Sequence, residues 1–195
     1  MALLPADLTF DAEAHAYHVG GVRWPSVTQV LDPLQELDGI PHAVLEAAAR
    51  FGTNVHAACH LMNVGALDID ALDPALAPYV AAWSKFLADT SAKVIASEMR
   101  VAHTRLRYAG TLDTICLIRG ARELVDIKST AAIPRTVGPQ TAAYAEAIDE
   151  PRIRRRVVQL RKDGTYRSKP LTDPADWNLF LSALNIHNWR YRNAD

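Results

Sequence analysis

Residues 108–130, YAGTLDTICLIRGARELVDIKST, carry Asp113, Asp126 and Lys128 among the β-branched and aliphatic residues of strand-like sequence. Burying unpaired charge is costly, so charges in this setting imply a chemical purpose. Asp113 lies 13 residues before Asp126, a separation that lets two hairpin strands bring both carboxylates to one end of a sheet. Lys128 stands two residues beyond Asp126, so the period-2 alternation of a strand sends both side chains to the same face. Two carboxylates alone repel; a divalent cation between them removes the penalty, and an adjacent lysine lowers it further. By the same reasoning, an asparagine at either aspartate is expected to keep or raise the stability of the metal-free protein. Glu98, on the preceding strand-like run, offers a third carboxylate. Oxygen ligands favour Mg²⁺ or Mn²⁺, ions that act on phosphate esters by activating water and stabilising developing negative charge.

The elements that must position these residues are read from periodicity and punctuation. LTFDAEAHAYHVGGVRW predicts a small hairpin turning at Gly20-Gly21, and in PSVTQVL the spacing of Ser26 and Gln29 is that of a capping box, with Pro33 ending a short helix. Alanine- and leucine-rich sequence predicts helices from Pro41 to Gly65 and over 75–89. The period then changes: 93–103, 107–118 and 121–128 read as strands, the last two joined by the tight turn RGAR. Residues 139–148 return to helix, RVVQLRKDGTYRS is a hairpin turning at Asp163-Gly164, and PADWNLFLSALNIHNWRYR closes as an amphipathic helix. With no repeat and no low-complexity linker, residues 1–195 read as one domain of the α/β class, a central mixed β-sheet flanked by helices.

The length of 195 residues and 49% hydrophobic content suffice for a sizeable core. No run approaches the ~18 apolar residues of a membrane span, and the N-terminus turns acidic early, so no membrane association and a cytoplasmic location are expected. Cys59 and Cys116 make neither a disulfide framework nor a four-thiolate cluster, which leaves oxygen and imidazole as metal ligands. The net charge of −1 argues against a nucleic-acid partner until the chain is divided. Residues 1–97 hold 4 Lys+Arg against 11 Asp+Glu, and residues 98–195 hold 17 against 11, so the halves carry −7 and +6. The basic half is densest in RIRRRVVQLRK, where Arg152, Arg154 and Arg156 share one face of a strand; they either track phosphates or form a solvated face.

GTLD followed by DIKST resembles the metal-binding core of the PD-(D/E)XK nuclease superfamily, a restriction-endonuclease-like fold. GTNVHAACH (52–60) looks like the Gly-x-x-x-His helix of its RecB-type branch, QTAAY (140–144) like that branch's Gln-x-x-x-Tyr motif, and WPSVTQVL is similar to the opening of phage-encoded members. The resemblance spans residues ~15 to ~170 in four ordered motifs. It implies Asp113 and Asp126 as metal ligands, the Ile127 carbonyl as a further one, Lys128 positioning or activating the attacking water, Glu98 as the upstream acidic residue and His56 as a histidine that helps hold the metal. It places Gln140 and Tyr144, at i, i+4 on one helical face, against DNA near the scissile phosphate. With two cysteines the chain lacks the four of the iron–sulfur members, and it carries no helicase motif.

The expected protein is a Mg²⁺- or Mn²⁺-dependent deoxyribonuclease acting on DNA in phage-type recombination, an exonuclease by family habit, with a single-strand annealing protein as a candidate partner and oligomerisation open. A phage-encoded enzyme of this kind would act in the host cytoplasm. Rival readings are a structure-specific or restriction-type endonuclease and a non-catalytic DNA-binding protein that kept the fold. His60 and Cys59 beside His56 raise zinc as an alternative, without the usual partner ligands. His15, His18, His42 and His103 have no partner pattern. Trp177, Trp189 and Tyr191 either stack on bases or, as is commoner on an amphipathic helix, pack into the core with Trp24 and Trp83. Should the 152–156 arginines be a solvated face, the phosphate track falls to Arg100, Arg105, Arg107, Arg190 and Arg192.

Overall fold

A five-stranded mixed sheet in the order β4-β5-β6-β7-β8, with helices on both faces, organises the chain. The computed structural model describes residues 5–35 and 39–192, and the Arg192 side chain lies outside the described part. In chain order the elements are β1 (Leu8–Asp11), β2 (Ala16–Val19), β3 (Val22–Trp24), α1 (Val27–Leu31), α2 (His42–Asn63), α3 (Ala77–Thr90), β4 (Lys93–His103), β5 (Tyr108–Ile118), β6 (Ala121–Lys128), α4 (Val137–Ala147), β7 (Arg154–Leu160), β8 (Tyr166–Leu171) and α5 (Asp176–Arg192). The mixed α/β class read from the sequence is the one found.

All neighbouring strands of this sheet pair antiparallel except β6 and β7, which run parallel, and α4 is the crossover that such a link requires. The β5–β6 turn places Arg119 (φ +50°) and Gly120 (φ +78°) in the left-handed region, the geometry of a two-residue hairpin turn whose twist matches its strands. One core layer packs α1, α4 and α5 against the sheet through Val27, Leu31, Leu112, Leu124, Tyr144 and Phe180. The other packs α2 and α3 on the opposite face through Val55, Trp83, Phe86, Val125, Ile127 and Val158.

The N-terminal segment is a three-stranded meander rather than a single hairpin. The Gly20-Gly21 turn is present between β2 and β3, but a second turn links β1 to β2 without glycine or proline. Asp11 Oδ1 accepts the amide hydrogens of Glu13 and Ala14 at 3.0 Å each, and His15 takes φ +46°. The aspartate side chain thus supplies what a turn dipeptide usually does. The capping box on α1 is as read: Ser26 Oγ accepts from the Gln29 amide at 3.1 Å and Gln29 Oε1 accepts from the Ser26 amide at 3.0 Å. Helix α4 begins at Val137, with Pro139 in the first turn where its missing donor costs nothing. Helix α5 buries Phe180, Ala183 and Leu184 and packs Trp177 partly against them, whereas Trp189 and Tyr191 are 68% and 66% exposed. Among the described residues no helix is long and apolar enough to cross a membrane.

Candidate active site

Strand register sets the acidic residues in one row across the sheet. The β4–β5 pairs Ser97↔Thr114 and Met99↔Leu112 flank Glu98 and Asp113, which therefore stand opposite each other. The β5–β6 ladder runs from Ile118↔Ala121 to Thr114↔Val125 and ends there; continuing that register sets Asp113 opposite Asp126. At that point the Asp113 side chain replaces the ladder: its Oδ2 accepts the Ile127 amide hydrogen at 2.6 Å. Glu98 sits at φ +50°, a left-handed kink within its strand that few residues other than glycine adopt. Strain of this kind at a cluster of charge is characteristic of functional positions.

Helix α2 brings His56 to the same place. Its Nδ1 lies 3.3 Å from Asp113 Oδ1 and 3.8 Å from Glu98 Oε1. One ligand atom from each of His56, Glu98 and Asp113 fits within a mutual separation of 4.8 Å, a compact set of one imidazole and two carboxylates. Gly52, one turn before His56, faces the end of β6, but a Cβ there would stand 3.7 Å from Ser129 Oγ, ordinary van der Waals contact, so the approach of α2 does not require glycine. Asp126 lies outside that three-residue set and is nearly fully buried. Lys128 Nζ is 2.7 Å from Asp126 Oδ2, close enough for an ion pair, but the angle of approach is not that of a hydrogen bond. Both Asp126 oxygens and the neighbouring Thr114 hydroxyl are buried without a hydrogen-bond partner among the described residues.

The electrostatics follow from burial and these contacts. For His56, burial alone would lower the pKa, but the Asp113 charge first, and the close approach of the Asp113 and Glu98 carboxylates at 3.3 and 3.8 Å, outweigh it and push it up to about 10. Burial would raise Asp113; the neighbouring His56 imidazole, then Lys128 and the Ile127 amide, hold it below the usual carboxylate range. Asp126 goes the other way: burial, with Asp113 adding to it, raises it to about 6 despite Lys128. Burial works against the Lys128 ammonium, yet Asp126 and Asp113 more than offset it and raise its pKa, so it stays protonated. Paired titratable groups driven apart in this way mark functional sites more often than structural ones.

On the opposite wall, α4 presents Gln140 and Tyr144. Lys128 Nζ donates to Gln140 Oε1 at 3.4 Å, and Gln140 Nε2 donates to Tyr144 OH at the same distance. Together with His56, Glu98, Asp113 and Lys128 they line a cleft of ≈330 Å³ that His15, Tyr17, Ser26, Thr28, Gly110 and Thr111 complete. Of these, Ser26 and Thr28 belong to the WPSVTQVL stretch. Tyr17 and Thr111, whose hydroxyls meet at 2.8 Å, carried no sequence signal because they come together only when the N-terminal meander packs on β5. The zinc alternative finds no support in the geometry. Among the described residues the metal-ligand set includes neither Cys59 nor His60. His60 Nδ1 is instead bonded to Ser97 Oγ at 3.0 Å, and burial pushes the Cys59 thiol up to about 12.

The arginines of 152–156 do not line this cleft. Arg152 precedes β7 in a turn, and Arg154 and Arg156 stand on the strand face opposite Arg155. Arg156 Nε donates to Glu123 Oε2 at 2.7 Å and its Nη1 to Ser168 Oγ at 3.0 Å, while Arg154 Nη1 lies 4.0 Å from Glu123 Oε1. Arg155, which the sequence reading passed over, is the interior one: its Nη1 donates to Asp176 Oδ2 at 2.9 Å and to the Gly138 carbonyl at 2.8 Å, tying β7 to α4 and α5.

No protein-family model matches the chain, and no curated protein does. Solved structures do match. A crystal structure of LHK-Exo in complex with dAMP aligns at 16% identity and a TM-score of 0.41 over 86% of this chain and 87% of that one. A second structure, of the alkaline exonuclease LHK-Exo from Laribacter hongkongensis, aligns at 15% identity and a TM-score of 0.34, covering 87% and 92%. The crystal structure of SSO0001 aligns at 14% identity and a TM-score of 0.36, covering 57% of this chain and 55% of that chain, about half its length. At such values the activity has to be argued from the site itself.

Proposed function

We propose that the chain is a metal-dependent deoxyribonuclease, residues 1–195 forming one catalytic domain that hydrolyses phosphodiesters with Mg²⁺ or Mn²⁺. The observation that carries the reading is the convergence of His56, Glu98 and Asp113 within 4.8 Å, beside a buried Asp126 carboxylate that lacks a hydrogen-bond partner among the described residues. A hard divalent cation fits that donor set, and Asp126 and the Ile127 carbonyl at its edge are further candidate ligands. Such an ion supplies charge stabilisation and a more acidic water.

The chain's own residues divide the remaining work. Lys128, held as an ammonium by Asp126 and Asp113, donates to the attacking water or a phosphate oxygen and cannot serve as the base. Gln140 fixes Lys128 from α4, and Gln140 with Tyr144 forms the wall against which the scissile phosphate lies. The new P–O bond forms to water and the bond to the leaving oxygen breaks; the water proton goes to solvent and the leaving oxygen takes one up. The four motifs that resemble RecB-type PD-(D/E)XK nucleases support the same reading. They also favour an exonuclease of phage-type recombination, working in the cytoplasm alongside a single-strand annealing protein.

The test incubates purified protein with end-labelled linear and closed circular DNA in Mg²⁺, Mn²⁺ or EDTA. Metal-dependent loss of the linear substrate alone is the expected result. Cutting of the circle moves the assignment to endonuclease, and no cleavage with either metal overturns the nuclease reading.

A further inference from the structure

A second groove, of ≈660 Å³, lies between the N-terminal meander and the end of α5, lined by Arg23, Gln29, Asp32, His187, Asn188, Arg190 and Tyr191 with Pro25 and Pro33. It shares a wall with the catalytic cleft. Pro25 and Gln29 face the groove, whereas Ser26 and Thr28 of the same segment face the cleft. That wall is fixed: the Ala109 amide of β5 donates to the Pro25 carbonyl at 3.0 Å, and the capping box holds Ser26 to Gln29.

The arginines of the groove differ from those of the 152–156 strand. Arg122, Arg154, Arg155 and Arg156 lie beside carboxylates, but Arg23 and Arg190 are in no ion pair among the described residues. Among the described residues that line the groove the one carboxylate is Asp32, which already accepts from Gln35 Nε2 at 2.8 Å. Burial lowers the His187 pKa, Asp32 opposing and Arg190 adding to the shift, so the imidazole is neutral near pH 7. Its ring lies 4.5 Å from that of Tyr191, which is itself 66% exposed and offers a face to solvent.

We infer that this groove is a subsite for unpaired single-stranded DNA, taking the strand that continues from the catalytic cleft across Pro25–Gln29. Resting on the nuclease reading, the inference adds where the substrate strand goes. Guanidinium groups for phosphates, amide donors for base edges and an exposed aromatic ring for stacking are the combination by which proteins hold single strands. The volume is that of a nucleotide-sized ligand. Within a duplex the base faces are already stacked on one another, so away from a duplex end Tyr191 can stack only on an unpaired base.

The experiment measures binding of a fluorescein-labelled single-stranded oligodeoxynucleotide and a blunt duplex by anisotropy, in Ca²⁺ and at several salt concentrations. It compares the full-length parent with Tyr191→Ala and with the Arg23→Gln/Arg190→Gln double variant. Tyr191→Ala is expected to weaken single-strand binding roughly 5- to 100-fold. The double variant should flatten the salt slope by roughly 1.4, about 0.7 for each lost phosphate contact. Irradiating the parent with a bromodeoxyuridine oligonucleotide should cross-link Tyr191, a readout that needs no variant to fold.

Single-strand affinity and slope equal to the parent's, or cross-links only elsewhere, would overturn the subsite while metal-dependent cleavage by the parent leaves the nuclease reading standing. Loss of duplex binding alone would assign the groove to duplex phosphates and likewise overturn it. A parent that neither binds nor cleaves DNA removes both.

Discussion

His56 Nδ1 lies 3.3 Å from Asp113 Oδ1, and with Glu98 at 3.8 Å the imidazole takes the cationic place between two carboxylates. Metal and proton therefore compete for one position. Coordination needs a neutral imidazole, yet His56 titrates only at about 10. Mn²⁺ affinity measured by calorimetry is expected to rise between pH 6 and pH 9, by up to about tenfold per pH unit. The stability of the metal-free protein runs the opposite way. A histidine whose pKa is raised on folding contributes stability that is complete below pH ~6.5 and lost as pH rises through about 10. An affinity independent of pH, or a His56→Ala variant that binds Mn²⁺ as the parent does, removes His56 from the ligand set.

Asparagine at the two central aspartates should split them, although repulsion alone predicts the same response from both. Asp126 is raised to about 6, so its charged form is disfavoured in the folded state; the penalty is absent below pH ~4 and complete well above 6. Asp126→Asn should gain about 1–3 kcal/mol in EDTA at pH 8. Asp113 is lowered by His56, Lys128 and the Ile127 amide, so Asp113→Asn should lose about 1–3 kcal/mol under the same conditions. Both variants should lose cleavage. Thermal melts in EDTA decide the matter, and shifts of the same sign would contradict this division.

Lys128 and Arg156 form the next contrast, between a charge used in chemistry and one used in packing. Lys128→Ala should collapse single-turnover cleavage by roughly 10² or more while DNA binding in Ca²⁺ stays near the parent's. Arg156→Gln should leave the salt dependence of binding alone, because its guanidinium is engaged by Glu123 and Ser168. Its cost should fall on stability, about 1–3 kcal/mol, since buried Glu123 loses its closest hydrogen-bond donor. A flattened salt slope in Arg156→Gln would return that face of β7 to the phosphate track.

Most of the sheet, the helices and the acidic row were legible because they obey short-range rules: alternation in 107–128, the Ser26/Gln29 capping box, the Asp163-Gly164 turn. The kink at Glu98 was not, since nothing local marks a glutamate for φ +50°. Nor was the fate of the arginines. Alternation correctly put Arg154 and Arg156 on one face, but whether that face meets solvent or Glu123 depends on the parallel pairing of β6 with β7, a contact that no local pattern encodes. The same limit hid Tyr17 and Thr111. Tyr191 shows the converse: an aromatic on an amphipathic helix is usually core, and here it is 66% exposed.

Gly110 is where site geometry and backbone meet most closely, and it supplies the sharpest test of how α4 is placed. A Cβ on Gly110 would stand 2.7 Å from Tyr144 Cε1, inside van der Waals contact, and Tyr144 is buried and cannot swing into solvent. Gly110→Ala should therefore push the ring, and with it the Gln140–Tyr144 pair, away from Lys128. Overpacking of this kind costs about 1–3 kcal/mol, and cleavage should fall with it because the Gln140 contact to Lys128 is already long at 3.4 Å. If the clash is the cause, the damage should not add. Tyr144→Ala removes the obstructing ring, so the double variant should be more stable than the sum of the two single changes predicts, a coupling on the order of 1 kcal/mol. Denaturant melts of the four proteins measure that coupling directly. Strict additivity would mean that Gly110 is required for the conformation of β5 alone and that Tyr144 approaches it without consequence for the site.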